Sequence, residues 1–435
     1  MVSLLSVFVA VLFAIYYSSG RTTNSMHAKT NYLSFVRCLI ISSVKIMNGI
    51  GLLLSMLSYG LCFIIVLSVQ CKAQCTHYTI YNKPTTKHVM YGKDKSDKPT
   101  FHATYHVTAI TFLLIGIIAT GIFGCTLILN QNHTAMAQQQ QQLSGISFQI
   151  DNLTFSHHTA SVNGIQLHYV IGGQGDPIVL LHGWPETWYT WRHVMPDLAK
   201  NYTVIAPDLR GLGDSSKPPT GYDGKTVAED IHQLVTQLGF RTIFLVGHDI
   251  GAFVVYPYAA AHPTEVNRLV VMEVPPPITG FFPPPSMPLW WIIFHQTSDV
   301  PEALVQGKEM MYLSWFFHNL AYNPAAITQA DINEYVSHYY APGGMRAGFE
   351  YYRAIPQDAI QNENYSKTNL TMPVLALGAG YIPAFGGNPN TAAENGMKML
   401  AQNVTGIIVP NSGHFIQEEQ PDVVAKLLNN FFRGG

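Results

Sequence analysis

From residue 146 onward, short runs of aliphatic and β-branched residues alternate with stretches whose apolar positions recur every three to four residues. The runs predict strands near 165–171, 177–182, 203–207, 243–247, 268–273, 373–378 and 405–409. Val227, Ile231, Val235 and Leu238 share one face of a predicted helix, and Trp188, Trp191, Met195 and Leu198 suggest another. This alternation implies a mostly parallel sheet with helices on both faces. The rhythm breaks between 273 and 373, where seven prolines in residues 275–288 lead into aromatic helical pattern (Trp315, Phe316, Phe317, Tyr335, Tyr339, Tyr340). We expect a helical cap there, over about 276–350, entered through a hinge that the prolines stiffen.

The first 145 residues read differently. Two stretches, 46–69 and 107–129, reach the roughly 20 apolar residues that a bilayer-crossing helix needs, and residues 2–17 form a shorter candidate. Charge splits at the same boundary: residues 1–145 carry 10 of the 24 Lys and Arg but only Asp94 and Asp97 as acids. Six lysines lie in the loop 70–106, and no Lys or Arg occurs between Lys98 and Arg192. The positive-inside rule then keeps the loop cytoplasmic and exports the chain beyond residue 129. From Met90, the lysines, the apolar run and Ala135-Met136-Ala137 also resemble a cleavable export signal. The expected arrangement is thus an N-terminal membrane or signal region, a polar tether at 138–142, and a catalytic region at 146–435 that is membrane-anchored or secreted. All five cysteines precede residue 126, so that region has no disulfide. No phosphate-binding glycine loop and no nucleic-acid-binding basic patch is present, and neither cofactor nor metal is expected.

The chemistry concentrates at strand ends. Asp249 sits at the centre of Gly247-His248-Asp249-Ile250-Gly251, directly after the run Thr242-Ile243-Phe244-Leu245-Val246. Small residues two positions to either side suit a sharp strand-to-helix turn, the elbow where hydrolases of G-x-S-x-G type carry Ser. An aspartate there can displace at carbon. The bland alternative is an Asp that caps the next helix. Upstream, Val179-Leu180-Leu181-His182-Gly183-Trp184-Pro185 ends a strand in a glycine turn, so the backbone N–H groups of Trp184 and Ile250 can form an oxyanion hole. Downstream, His414 in Pro410-Asn411-Ser412-Gly413-His414-Phe415 is positioned to activate water. No carboxylate follows the strand at 373–378 until Glu394, whereas Arg268-Leu269-Val270-Val271-Met272-Glu273 delivers Glu273 at a strand end. Glu273 is therefore the candidate partner of His414, against a solvated strand-end glutamate.

With Trp188-Tyr189-Thr190-Trp191-Arg192, Val204-Ile205-Ala206-Pro207-Asp208 and Met272-Glu273-Val274-Pro275, residues from about 157 onward resemble the α/β-hydrolases that act on epoxides. They are most similar to secreted epoxide hydrolases of the cystic-fibrosis-channel inhibitory factor type, which use Glu as the third catalytic residue. The resemblance implies an α/β-hydrolase fold, a small-molecule epoxide or halogenated substrate, and an ester on Asp249 that water activated by His414 and Glu273 hydrolyses. It also implies Tyr352 as a lid acid. The second lid donor of the family falls at Trp291, and an indole N–H cannot transfer a proton. His295, one helical turn onward, is a substitute; His182 and Tyr351 are further candidates for substrate contact. Trp290 reads as lid core.

Two other readings stay open. A dehalogenase uses the same Asp–His pair, and Trp291 could bind halide, although Ile250 stands where haloalkane dehalogenases carry a halide-binding Trp and fluoroacetate dehalogenases an Arg. A hydrolase-fold binding module without turnover is the other.

Overall fold

The computed structural model describes residues 145–279 and 289–434. The candidate spans 46–69 and 107–129, the shorter stretch 2–17 and the hinge residues 280–288 lie outside them. Among the described residues, no helix is long and apolar enough to cross a membrane.

Among the described residues nine strands form one sheet: β1 (Ser147–Ile150), β2 (Leu153–Val162), β3 (Ile165–Gly173), β4 (Asp176–Leu181), β5 (Tyr202–Pro207), β6 (Ile243–His248), β7 (Val266–Met272), β8 (Val374–Ala379) and β9 (Val404–Val409). Their order is β1-β2-β3-β5-β4-β6-β7-β8-β9. The four pairings from β4 through β9 and the β4–β5 pairing are parallel, while β1, β2, β3 and β5 pair antiparallel. The central strands read as continuous apolar runs because both faces are covered: Ile178 to Leu181, and Leu269 to Met272, are wholly buried. All seven expected strands are present to within a residue or two. The antiparallel pair β1 and β2 was not expected, because Ser156-His157-His158-Thr159 interrupts the apolar alternation that marks a strand.

The helix Gly224–Gln237 buries Val227, Ile231 and Val235 as expected, and Asp223 caps it by accepting from Thr226 N. Trp188 and Leu198 do not share one helix: a 3-10 turn, Trp188–Trp191, and a short helix, Met195–Ala199, divide the stretch. The helix Ile250–Ala261, which follows β6, is apolar around almost its whole circumference and is buried accordingly.

The expected cap is present as five helices, Trp290–Gln296, Val300–Val305, Glu309–Leu320, Gln329–Tyr339 and Gly344–Tyr365. The boundary at 350 needs correction. The last helix runs unbroken to Tyr365 and reaches the main domain, where Tyr351 Oη donates to Arg210 O and Asp358 Oδ1 accepts from Gly224 N, both at 2.8 Å. Pro356 lies within it without ending it. A second tie is ionic: Arg192 of the main domain bonds Asp331 of the cap at 2.8 Å and Glu418 at 2.6 Å. Trp290, expected in the lid core, is instead 47% exposed.

Candidate active site

The elbow forms because two glycines permit it. A Cβ on Gly247 would stand 2.5 Å from the carbonyl oxygen of Gly251, and one on Gly183 2.5 Å from Asp249 Cβ. Asp249 itself takes φ +51°, a conformation L-residues rarely adopt, which lifts its carboxylate out of the strand–helix turn. It holds the N-cap position of the following helix, but its side chain makes no capping bond. Oδ1 accepts instead from Trp184 N at 2.9 Å. Ile250 follows directly and lines the same cavity.

Glu273 also has a positive φ, +70°, immediately past the end of β7. Its Oε2 lies 2.9 Å from His414 Nδ1, and His414 Nε2 lies 3.6 Å from Asp249 Oδ2. The three side chains thus form one chain of contacts in the order Asp249, His414, Glu273. Burial disfavours a charge on His414, but the Glu273 hydrogen bond and the carboxylates of Asp249 and Glu273 outweigh it, so its pKa is raised to about 9. Glu394, the other acid weighed for this role, pairs with Lys398 one helical turn away.

Asn390 completes this corner, and the sequence gives no warning of it. It lies in a Gly-, Pro- and Asn-rich loop with no distinguishing pattern. Its Nδ2 donates to Glu273 Oε1 and, at 3.0 Å, to Glu273 O, while Ala379 N donates to the same Oε1 at 3.3 Å. These donors turn the Glu273 carboxylate so that Oε2 is left for His414.

The cavity above the carboxylate is closed by Trp291, Ile292, Phe316, Leu320 and Tyr352 from the cap and by Phe253 and Val274. Tyr352 packs edge-on against Trp184 at 5.6 Å. Burial first, and then the negative charge of Asp249, hold its hydroxyl far above the usual tyrosine pKa, so it stays a proton donor. Trp291 also lines the cavity, against Trp315 and Phe316.

Three expected substrate contacts require correction. Tyr351 is buried on a different face of its helix, bonded to Arg210 O, and does not line the cavity. His182 bonds Gly183 O through Nδ1 at 2.7 Å and accepts from Leu209 N through Nε2 at 3.0 Å, so both ring nitrogens are spent on the main chain. His295 turns its Nε2 to Tyr312 Oη, 2.5 Å away, and packs its ring against Tyr352 at 4.4 Å. Burial, and then the charge of Arg353, push its pKa well below the ordinary histidine value. It supports Tyr352 and lies outside the cavity wall.

The alpha/beta hydrolase fold family matches residues 176–421. The soluble epoxide hydrolase of Corynebacterium sp. (strain C12) is 39% identical over 284 residues, which are 64% of this chain and 97% of that protein. Among solved structures, Cfl2 from Burkholderia cenocepacia is 39% identical with a TM-score of 0.60, covering 66% of this chain and all of that one. The Cif epoxide hydrolase from Acinetobacter nosocomialis is 26% identical with a TM-score of 0.60, covering 69% of this chain and 96% of its own. The chain therefore belongs to the α/β-hydrolase fold family, and within it to the epoxide-hydrolase-like enzymes related to the Cif type.

Proposed function

We propose that this enzyme opens neutral epoxides to vicinal diols through an ester on Asp249. The observation that carries the reading is a carboxylate, not a hydroxyl, at the elbow, with one oxygen on Trp184 N and the other facing His414. Asp249 Oδ2 attacks an epoxide carbon and the ring C–O bond breaks, while Tyr352 gives its proton to the released oxygen. His414, steadied by Glu273, then takes a proton from water, and the resulting hydroxide adds to Asp249 Cγ. Negative charge develops on Oδ1, where the N–H groups of Trp184 and Ile250 stabilise it. The Cγ–Oδ2 bond breaks as the departing oxygen takes the proton back from His414. The diol leaves carrying Oδ2, and the proton of the new carboxyl group restores Tyr352.

Among the described residues lining the cavity none is Lys or Arg. An anionic haloacid would find no Lys or Arg there, and the imidazolium of His414 is already paired with Asp249 and Glu273, which favours an uncharged epoxide. Release of halide from a neutral haloalkane, assisted by Trp291, is the second reading.

A single turnover in heavy-oxygen water tests the ester. The new product oxygen should come unlabelled from the enzyme carboxylate; label appearing directly in that first diol would rule the scheme out. Export of the catalytic region, with 46–69 and 107–129 as anchors or signal, is proposed from the lysine asymmetry. A reporter active only in the cytoplasm, fused after residue 160, should stay silent.

A further inference from the structure

Behind the nucleophile lies a second carboxylate–imidazole pair, Glu186 and His248, neither of which reaches solvent. Glu186 Oε2 accepts from Gly183 N at 3.1 Å and meets His248 Nδ1 at 2.9 Å. Its Oε1 accepts from Thr190 Oγ1 at 2.6 Å and from Gln417 Nε2 at 2.8 Å. With donors on both oxygens, a proton on this carboxyl group would have to displace one of them. Burial opposes the charge, but His248 and Thr190 outweigh it and hold the pKa of Glu186 down to about 2.

The other nitrogen of His248, Nε2, lies 2.8 Å from the carbonyl oxygen of His414. A carbonyl can only accept, so Nε2 carries a hydrogen. A carboxylate can only accept, so Nδ1 carries one too. Gln417 Nε2 also approaches Nδ1, at 3.2 Å, but lies closer to Glu186 Oε1 and Thr190 Oγ1, at 2.8 Å each, which suffice for its two hydrogens. Neighbouring His182 is the contrast, since one of its nitrogens accepts from Leu209 N and that ring is neutral.

We infer that Glu186 holds His248 as an imidazolium whose Nε2–H pins the main chain of His414, and so sets the reach of the His414 ring between Asp249 and Glu273. The pinning is two-sided. The N–H of His414 donates to Leu320 O at 2.9 Å, at the end of a cap helix, while its carbonyl is held by His248. The same carboxylate, through Gly183 N, also fixes the turn that presents Trp184 N to Asp249. One buried charge pair thereby registers the oxyanion donor, the nucleophile strand and the base. The ionisable groups around His248 are Glu186 and His182 from the end of β4 and the turn after it, Asp249 next in the chain, and His414 from the last loop. His248 is a positioning residue, since it touches no reacting atom.

The inference rests on His414 as the base proposed above, and two measurements on the full chain keep the two readings apart. In ¹⁵N-histidine-labelled enzyme, both ring nitrogens of His248, identified by their loss in His248→Gln, should carry protons at neutral pH. One unprotonated nitrogen overturns the inference, whatever the enzyme turns over. In rapid-quench experiments with an epoxide, His248→Gln should slow formation of the Asp249 ester far less than its hydrolysis, and Glu186→Gln, which also loosens the Trp184 turn, should slow both steps. Both variants should hydrolyse the ester about 10²-fold more slowly, the loss that a misplacement of about 1 Å causes. The double variant H248Q/E186Q removes both buried charges, so it should regain thermal stability over either single variant and keep the slow hydrolysis. Hydrolysis that recovers together with stability would reduce the pair to a structural support and sink the idea. Should a single variant fail to fold, the wild-type spectrum and the double variant still decide. A wild-type enzyme that forms no ester would instead defeat the proposed reaction and leave the charge state of His248 to the spectrum.

Discussion

At the residue scale, the charge on His414 creates a requirement that the proposed reaction itself meets. A histidine with a pKa of about 9 is protonated in the resting enzyme at neutral pH and cannot then accept a proton from water. Ester formation removes the negative charge of Asp249, one of the groups that raise this pKa, so the value falls and the base is released after alkylation. Ester formation should therefore vary little with pH around neutrality. Hydrolysis of the ester should rise with pH through a midpoint below 9, and rapid-quench measurement of the two steps separates them. An alkylation rate that itself climbs tenfold toward pH 9 would mean that neutral His414 is needed earlier. The lid sets a second expectation. General-acid help is worth about 10²–10⁴-fold, and Tyr352 must supply it without a second acid, because Trp291 can only donate a hydrogen bond. Tyr352→Phe should lose most of that factor in ester formation, whereas Trp291→Phe should cost little and Trp291→His should keep or raise turnover. Halide release that collapses in Trp291→Phe, beside poor epoxide turnover throughout, would favour the dehalogenase reading.

At the scale of elements, what was legible in the sequence is what local patterning controls. The β6–helix elbow is written in Gly247 and Gly251, and β7 ends just before Glu273 because an apolar run stops there. The missing parts are long-range. Asn390 reaches Glu273 across 117 positions, and no local pattern marks such a pair. The direction in which a cap residue points was equally hidden: Tyr351 and Tyr352 are neighbours, yet about 100° of helical rotation sends one to Arg210 and the other to the cavity. The polar run in β2 masked an edge hairpin that only its partners stabilise. The ionic tie between cap and main domain was likewise invisible, and it makes its own prediction. Arg192→Met would leave Asp331 and fully buried Glu418 without their cation, a change that typically costs about 3–5 kcal/mol. Glu418 already has a pKa raised to about 7, by burial against the opposing pull of Arg192, so below that pH it can escape by taking up a proton. Denaturant unfolding should accordingly show a penalty that grows as the pH rises past neutrality. A pH-independent loss would mean that packing of the guanidinium, not its charge, ties the cap down.

At the scale of the whole molecule, the buried ionisable groups add up to a direction. Asp358 is raised to about 8 and Glu419 to about 7, each chiefly by burial, and Glu418 joins them at about 7. In His414, raised to about 9, and His338, raised to about 10, burial is overcome by carboxylate partners. All five bind protons more tightly in the folded chain than in the unfolded one. Each therefore contributes stability that is complete below its unfolded pKa and is lost as the pH climbs through its folded one. The opposing histidines, His157, His182, His193, His262 and His295, have lowered values, so above about pH 6.5 they are largely neutral in both states and add little slope. Between about pH 6.5 and about pH 8.5 the balance runs one way, and the melting temperature of the enzyme should fall across that interval at constant ionic strength. The carboxyl groups should account for the early part of the decline and His414 for part of the later one. Asp358→Asn, which keeps the acceptor for Gly224 N but cannot ionise, should flatten the slope over the part of the interval below about pH 8. A melting temperature that rises with pH through this window, or an Asp358→Asn variant with an unchanged slope, would show that these groups do not govern the molecule's response to pH.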